Sequence, residues 1–391
     1  MEVICQKLDH FGRGIVYQNN KITFVPNLLP SEKAEIRIIK DKKNYAEGKV
    51  IKLLTKSKDR ITPQCPYQNC GCALKHLKYE KQILYKEEKV KEIINKFTNV
   101  NVKINPIIKS EHIEFYRNKI TLKTNKKVGY YENQTHDIIE IDACPLATTK
   151  INKIIKLLNK QDLSNVKELI IKDFDDTMLI IKGNLDIEPL KKIVDIIYID
   201  DKLVYGNHYT KTKIGDFYFK VSKDSFFQIN KYQTEKLYNK ALSYVEGDKE
   251  KTALDLYCGT GTLALFLSNN FKKVIGIDIN KEAIQCALEN KKINRIKNVE
   301  FINGDVSNTI DKLEADIIFV DPPRSGLTPK VINDIIRINP EKIIYISCDP
   351  VTLARDLKIL NNKYDIQEIT PVDMFPNTYH VECVCILSIK S

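Results

Sequence analysis

The chain has 391 residues, a formal net charge of +11 and ten cysteines. That length exceeds one ordinary core and points to two or three domains. No run of about eighteen apolar residues occurs, which excludes a hydrophobic membrane span, and the charged start Met1–His10 lacks an apolar signal core, so a cytoplasmic protein is expected. The positive charge suits a polyanionic partner, although abundant Lys, Ile and Asn throughout give the same sign by composition alone.

Residues 1–57 read as short strands. Ile15-Val16-Tyr17, Ile22-Thr23-Phe24-Val25 and Ala34-Glu35-Ile36-Arg37-Ile38 are separated by the turns at Gly12-Arg13-Gly14 and Pro26-Asn27. Alternation at this length suits a small OB-like β-barrel. Lys33, Arg37, Lys40, Lys42, Lys43 and Lys49 make it basic, as RNA-binding barrels are.

Residues 58–220 read as a central α+β, cysteine-rich domain. Cys65, Cys70 and Cys72 crowd into the turn Pro63–Cys72. In a cytoplasmic chain such crowding suggests a metal or cluster site rather than disulfides. A helix follows over about 74–97, with Leu77, Leu84, Val90, Ile94 and Phe97 near helical spacing. Glu168–Lys172 and Met178–Lys182 read as strands.

Residues 221–391 alternate short apolar strands with helices, the pattern of a Rossmann-like parallel sheet, here expected to have seven strands. Each strand runs into a polar motif. Thr252–Leu256 leads to Tyr257-Cys258-Gly259-Thr260-Gly261-Thr262, and Lys273–Ile277 to Asp278. Val299–Ile302 leads to Gly304-Asp305, Ala315–Val320 to Asp321-Pro322-Pro323-Arg324, and Lys342–Ile346 to Ser347-Cys348-Asp349-Pro350. In such sheets ligands bind beyond the carboxyl ends of the strands.

The glycine loop lets backbone approach a ligand but lacks the third glycine of the dinucleotide fingerprint. Thr262 opens a helix able to face an amino-acid carboxylate, and Asp278 is placed for a ribose diol. Together these favour S-adenosylmethionine. Cys348 stands at the ligand edge as a candidate nucleophile. C5 of uracil cannot take a methyl group unaided, but a thiolate added at C6 makes C5 an enolate carbon. That role asks for a lowered thiol pKa. Glu382, in the otherwise apolar strand His380–Ile386, is a candidate base whose burial would raise its pKa. Arg324 stands where amino-group methyltransferases carry a stacking aromatic, which argues against exocyclic amine methylation. Phe226-Phe227-Gln228-Ile229-Asn230 offers aromatics for a base and an amide for cofactor or base.

These motifs, with Met374-Phe-Pro-Asn-Thr-Tyr-His-Val-Glu382, resemble the RNA uracil-C5 methyltransferase family, and specifically its 23S ribosomal RNA branch. The resemblance implies Cys348 as nucleophile and Glu382 as base. It implies Gln228, Tyr257, Thr262, Asp278, Asp305 and Asp321 at the cofactor, and Phe226 against the target base. The barrel resembles a TRAM domain through Val25-Pro26-Asn27-Leu-Leu-Pro30 and Asn44-Tyr45-Ala46-Glu47-Gly48, which tilts the partner toward ribosomal RNA. Cys65, Cys70, Cys72 and Cys144 are similar to the family's ligands for a [4Fe-4S] cluster, although Cys-x4-Cys-Gly-Cys departs from the usual spacing and leaves the third ligand open. Four thiolates also suit a structural zinc. The helix from Leu74 is expected to pack on the catalytic domain, and a monomer is expected. Other readings are a transfer-RNA 5-methyluridine enzyme, a non-catalytic RNA-binding ribosome-assembly protein, and a 5-methylcytidine enzyme.

Overall fold

The computed structural model describes residues 1–18, 20–98, 100–133, 135–245 and 249–390. Among them the strands form four sheets.

The first is six-stranded, in the order Glu2–Ile4, Lys33–Asp41, Tyr45–Thr55, Lys21–Val25, Gly14–Gln18, Lys7–Leu8. Its two edge strands are consecutive in the chain, so residues 2–8 close the sheet on itself. Cys5 N–H donates to Glu32 O (3.0 Å) and Gln6 N–H to Ile15 O (2.9 Å), which carries both ladders through the crossover. Val3, Val16, Val25, Leu28, Ala34 and Ile36 fill the interior, as the alternation predicts. Buried Glu32 accepts from Arg60 Nε (2.5 Å) and Nη2 (2.7 Å), tying the barrel to the next segment.

The second sheet holds seven strands from Lys119–Thr124 to Lys202–Tyr205. It is covered by the amphipathic helix Thr149–Leu158, which buries Ile151, Ile154, Ile155 and Leu158 at helical spacing. The helix starts at Thr148, whose side chain accepts from Ile151 N–H. A hairpin, Tyr209–Ile214 with Phe217–Ser222, follows.

The last sheet has eight strands rather than seven, ordered Val299–Asn303, Lys273–Asp278, Thr252–Leu256, Ile317–Val320, Lys342–Ser347, Glu382–Ile389, Tyr364–Val372, Lys103–Ile104. The first five are parallel and Glu382–Ile389 is antiparallel to its neighbours. Lys103–Ile104, from the N-terminal half, pairs in parallel with Tyr364–Val372 and supplies the eighth strand.

Parts of residues 58–220 pack with the last sheet. The helix Tyr79–Thr98 buries Ile83, Val90, Ile93 and Ile94 in the same core as Leu254, Ile318, Ile343 and Leu387. Ile214, Phe219 and Val221 of the hairpin join the core on the other face of the catalytic sheet. The helix starts at Tyr79 rather than Leu74. The segment before it spends its backbone elsewhere: Leu74 N–H donates to Asn377 O and Ile61 N–H to His76 O.

Candidate active site

The glycine loop follows from local chemistry. Tyr257, Gly259 and Gly261 all take positive φ (66°, 54° and 77°), so the chain reverses within five residues from strand into the helix Thr262–Leu267. Strain at non-glycine Tyr257 is the kind held at ligand sites. A Cβ at Gly259 would meet nothing within 4 Å, so its backbone faces open space, whereas one at Gly261 would strike the Phe301 ring at 2.6 Å. Asp278 holds the loop: its carboxylate accepts from Gly259 N–H (2.9 Å) and Asn280 N–H (2.8 Å). Tyr257 is half-buried, and burial with Asp305 nearby pushes its phenol up to about 12. Asp305 caps the helix Val306–Thr309 by accepting from Ser307 Oγ and N–H, which hold its carboxyl below the usual range. Thr262 lies buried in the first turn of its helix, its hydroxyl 3.3 Å from that of Thr260. The loop, Asp278 and Asp305 thus stand together at the carboxyl ends of three adjacent strands.

Ser347-Cys348-Asp349-Pro350 is a strand end, a turn, an N-cap and an N1 proline. Asp349 accepts from Val351 N–H (2.8 Å) and Thr352 N–H (3.3 Å) and starts the helix Pro350–Leu360. Asp349 N–H donates to Ser347 Oγ, fixing the turn that presents Cys348. Ser347 pairs with Cys383 across the antiparallel ladder. The next residue outward on each chain is Cys348 on one and Glu382 on the other.

Burial pushes Glu382 up to about 8; Asp321 adds to the rise and Arg324 opposes it. Burial also raises Asp321 to about 7. Cys348 is pushed up to about 12 by burial, with Glu382 and Asp321 adding to it and Arg324 opposing. The free-standing thiol is therefore not the lowered-pKa thiol that the nucleophilic role asks for. The group faces three carboxyls, Glu382, Asp321 and Asp349, and one cation, and it is half-buried rather than open to water.

Phe226 is 66% exposed, while its neighbour Phe227 packs edge-on against Phe174. One aromatic of the pair is therefore core and the other is free. Gln228 is half-buried and lies against the phenol of buried Tyr238, which also neighbours Asp321, Asp255 and Glu382. The segment is clipped by Lys172, whose ammonium donates to the carbonyls of Ser222 (2.9 Å), Lys223 (2.7 Å) and Ser225 (3.0 Å). Burial lowers Lys172 to about 7. Sequence reasoning missed both Tyr238 and Lys172. A lysine on the buried face of Leu169-Ile-Ile-Lys172 was the available signal for the second.

The segment 373–381 leading to Glu382 is gripped from the helix Tyr79–Thr98. Lys86 and Asp373, both 0% exposed, pair at 2.5 Å. Tyr79 Oη donates to Asp373 (2.8 Å), Lys86 also to Phe375 O (3.0 Å), and Lys89 to Tyr379 O (2.9 Å). Gln82 exchanges hydrogen bonds with Asn377. Burial beside Arg324 drops His380 to about 3.

The upstream cysteines occupy a separate place. Cys65, Cys70, Cys72 and Cys144 line one cavity of about 280 Å³ together with Lys75, Tyr79, Gln82, Arg117, Tyr130 and Asn377. Cys70 and Cys72 are pushed up to about 11 and 12, by burial first and then by the neighbouring thiols. Buried Arg117 leaves its Nε without a partner beside them. Among the described residues no group of three or more His, Cys, Asp or Glu is arranged to hold a metal ion. Cys65 and Cys70 each turn their thiol toward Tyr67 O (3.8 Å) instead. The donor set fits a cluster in number and in having a cation beside it, but the thiols do not converge.

Parallel strands that end in a glycine loop and in carboxyl and thiol side chains make an α/β sheet of the Rossmann-like type. The profile described as tRNA (uracil-5-)-methyltransferase matches residues 191–390, and that of the TRAM domain matches residues 1–51. An uncharacterized RNA methyltransferase of Clostridium acetobutylicum is 36% identical, covering 99% of this chain and 96% of its own. One from Clostridium tetani is 35% identical, covering 96% and 94%. The crystal structure of Pyrococcus abyssi tRNA (uracil-54, C5)-methyltransferase with S-adenosyl-L-homocysteine superposes with a TM-score of 0.83 at 28% identity, covering 99% of each chain. The chain belongs to the S-adenosylmethionine-dependent uracil-5 RNA methyltransferases, with an N-terminal TRAM domain. No helix among the described residues is long and apolar enough to cross a membrane.

Proposed function

We propose that this enzyme methylates C5 of a specific uridine in 23S ribosomal RNA, with Cys348 as nucleophile and Glu382 as base. The observation that carries this reading is the Ser347–Cys383 pair, one step beyond which lie Cys348 on one chain segment and Glu382 on the other, near enough for the carboxyl to act on the thiol. Once deprotonated, Cys348 adds to C6 and the electron pair moves to C5. S-adenosylmethionine supplies the methyl group that C5 takes up. Glu382 then removes the C5 proton, the C6–S bond breaks, and the ring regains its double bond. Gln228, Tyr257, Thr262, Asp278, Asp305 and Asp321 would hold the methyl donor, and exposed Phe226 would stack on the flipped uracil. The barrel, read as OB-like, would hold flanking RNA.

In domain terms we assign 1–57 to the RNA-binding barrel, 58–220 to a central region that lends its helix and a strand to the sheet, and 221–391 to catalysis. The cysteine cavity would take a [4Fe-4S] cluster, or a structural zinc as the lesser alternative, once Cys65 and Cys70 give up the Tyr67 carbonyl; its role would be structural. We expect a cytoplasmic monomer.

RNA carrying 5-fluorouridine at the target tests the chemistry, because fluorine at C5 cannot leave as a proton. The adduct should accumulate on Cys348 and vanish in Cys348→Ala. Trapping that survives the substitution sinks the assignment. Mass mapping of RNA from a strain lacking the gene tests the target: a 5-methyluridine should disappear from 23S rRNA. A second reading, transfer RNA, draws on the activity named for the Pyrococcus abyssi structure and would be indicated by loss of 5-methyluridine from tRNA instead.

A further inference from the structure

We propose that Phe11, on the barrel, is a stacking subsite for an unpaired nucleobase next to the target uridine. The subsite's place next to the methylated uridine rests on the proposed function; the stacking itself does not.

Phe11 sits on the turn Asp9–Arg13, and that turn is rigid. The Asp9 carboxylate accepts from Phe11 N–H (2.9 Å), Arg13 N–H (2.7 Å) and Arg13 Nε (2.8 Å). Asp9 N–H donates to Arg13 O (2.8 Å) and Gly12 N–H to Asp9 O (3.0 Å). Gly12 has φ of 76°, and a Cβ there would strike Leu74 Cδ2 at 2.9 Å, so the turn is seated on the segment before the long helix. Tyr85 on that helix donates to Asp9 O (2.8 Å). A turn tied at so many points would ordinarily carry a polar tip, yet it carries a phenylalanine that is 54% exposed. The turn's backbone is already held before any ligand arrives, which lowers the entropic cost of stacking.

Phe11 also lies beside the catalytic loop. Its ring meets Tyr379 edge-on at 5.5 Å, and Tyr379 lies against His380 at 4.1 Å and 35°. Glu382 is two residues further along. In the other direction the Arg13 guanidinium is 5.3 Å from the Phe11 ring and 4.3 Å from that of Phe24, which in turn neighbours Tyr45 at 5.9 Å. Rings and one cation thus run without a break from the barrel surface to the residues preceding the base. Interleaved aromatics and cations along one track are how proteins hold single-stranded nucleic acid. A flipped uridine needs its neighbours unpaired, so the strand beside it offers free base faces. Phe11 is the exposed ring on this track, beside the loop that carries the base.

The plainer alternative is that Phe11 only glues the barrel to Tyr379. Phe11→Leu separates the two, because it keeps an apolar contact and loses the π face. The probe is a set of short oligouridylates with a single 2-aminopurine moved stepwise along the chain. On the unsubstituted protein one position should be quenched on binding, and in Phe11→Leu that quenching should be lost. Stacking is worth about 1–3 kcal/mol per base, so the dissociation constant should rise about tenfold, with Phe11→Trp restoring it. The salt dependence of binding should stay unchanged, because phosphate contacts set that slope. Equal quenching and affinity in Phe11→Leu, or no quenched position on the unsubstituted protein, overturns the proposal. Neither readout needs methyl transfer, so failure of 5-fluorouridine trapping would count against the catalytic reading alone.

Discussion

Two groups of thiols in this molecule are both pushed upward in pKa, and their surroundings differ. Cys348 shares its pocket with Glu382 and Asp321, and Arg324 is the cation opposing them. Cys70 and Cys72 face other thiols, with Lys75 and Arg117 as the nearby cations. Carboxyls around a thiol favour a neutral –SH that ionises only as it reacts. For Cys70 and Cys72, burial and the other thiols favour the neutral form, and Lys75 and Arg117 oppose them. Under the proposed function one residue type would be put to two uses by its neighbours.

The sharpest way to break that comparison is at the catalytic edge. Cys348→Ala should lower methyl incorporation more than about 10⁴-fold, whereas Glu382→Gln should leave adduct formation intact and stall release, lowering turnover about 10²–10⁴-fold. Denaturing gels after incubation with unmodified RNA should show a persistent band only for Glu382→Gln. A Glu382→Gln protein that forms no adduct would mean Glu382 acts before C6 addition.

Next in size is the cavity. Anaerobic incubation with iron and sulfide should give a brown protein, and Cys72→Ala should take up far less iron by elemental analysis. Because Tyr79, Gln82 and Asn377 wall both the cavity and the catalytic loop, trapping on Cys348 should also slow about tenfold, equivalent to about 1.4 kcal/mol. Unchanged iron uptake in Cys72→Ala would remove that residue from the ligand set.

Lys172→Met should destabilise the fold by about 1–3 kcal/mol, since three carbonyls, that of buried Ser225 among them, lose their donor. It should raise the KM for RNA several-fold more than it lowers kcat, because the clip holds the segment carrying Phe226 and Gln228. An unaltered KM would leave Lys172 purely structural.

The smallest effect is on pH. Glu382 has its folded pKa raised from 4.5 to about 8, so stability it contributes is present below 4.5 and is lost as pH rises through about 8. As a base it works in its ionised form, so turnover should climb over the same upper range. Thermal melts from pH 5 to pH 9 should show a decline that flattens in Glu382→Gln.

Much of the catalytic sheet was legible because each strand is a short apolar run ending in a polar motif. Thr252–Leu256 came out as expected, and Val299–Asn303 and Lys342–Ser347 ran one residue longer. Cys348 and Glu382 stood out because each interrupts an apolar context. Ala315 and Asp316 failed to join their strand because Asp316 turns its carboxylate onto Thr252 N–H. What stayed hidden was long-range. Lys103–Ile104 has no strand signal and is a strand only because Tyr364–Val372 has an open edge. The Lys86–Asp373 pair and the Phe11–Tyr379 contact join residues that no local pattern connects. The inward twist of Cys65 and Cys70 toward Tyr67 O is likewise a matter of rotamers, which spacing does not encode.

The early helix Tyr79–Thr98 and strand Lys103–Ile104 lend the late sheet an apolar face and an edge. During synthesis that helix leaves the ribosome long before residues 343–387, which cover Ile83, Val90, Ile93 and Ile94. The nascent chain therefore carries an uncovered greasy surface through most of translation, a state that invites chaperones. It also means that gene fragments cut at 221 would lose the edge strand and the covering helix together, and should be made as insoluble protein. The two halves are thus separable on a map of motifs but inseparable at the bench.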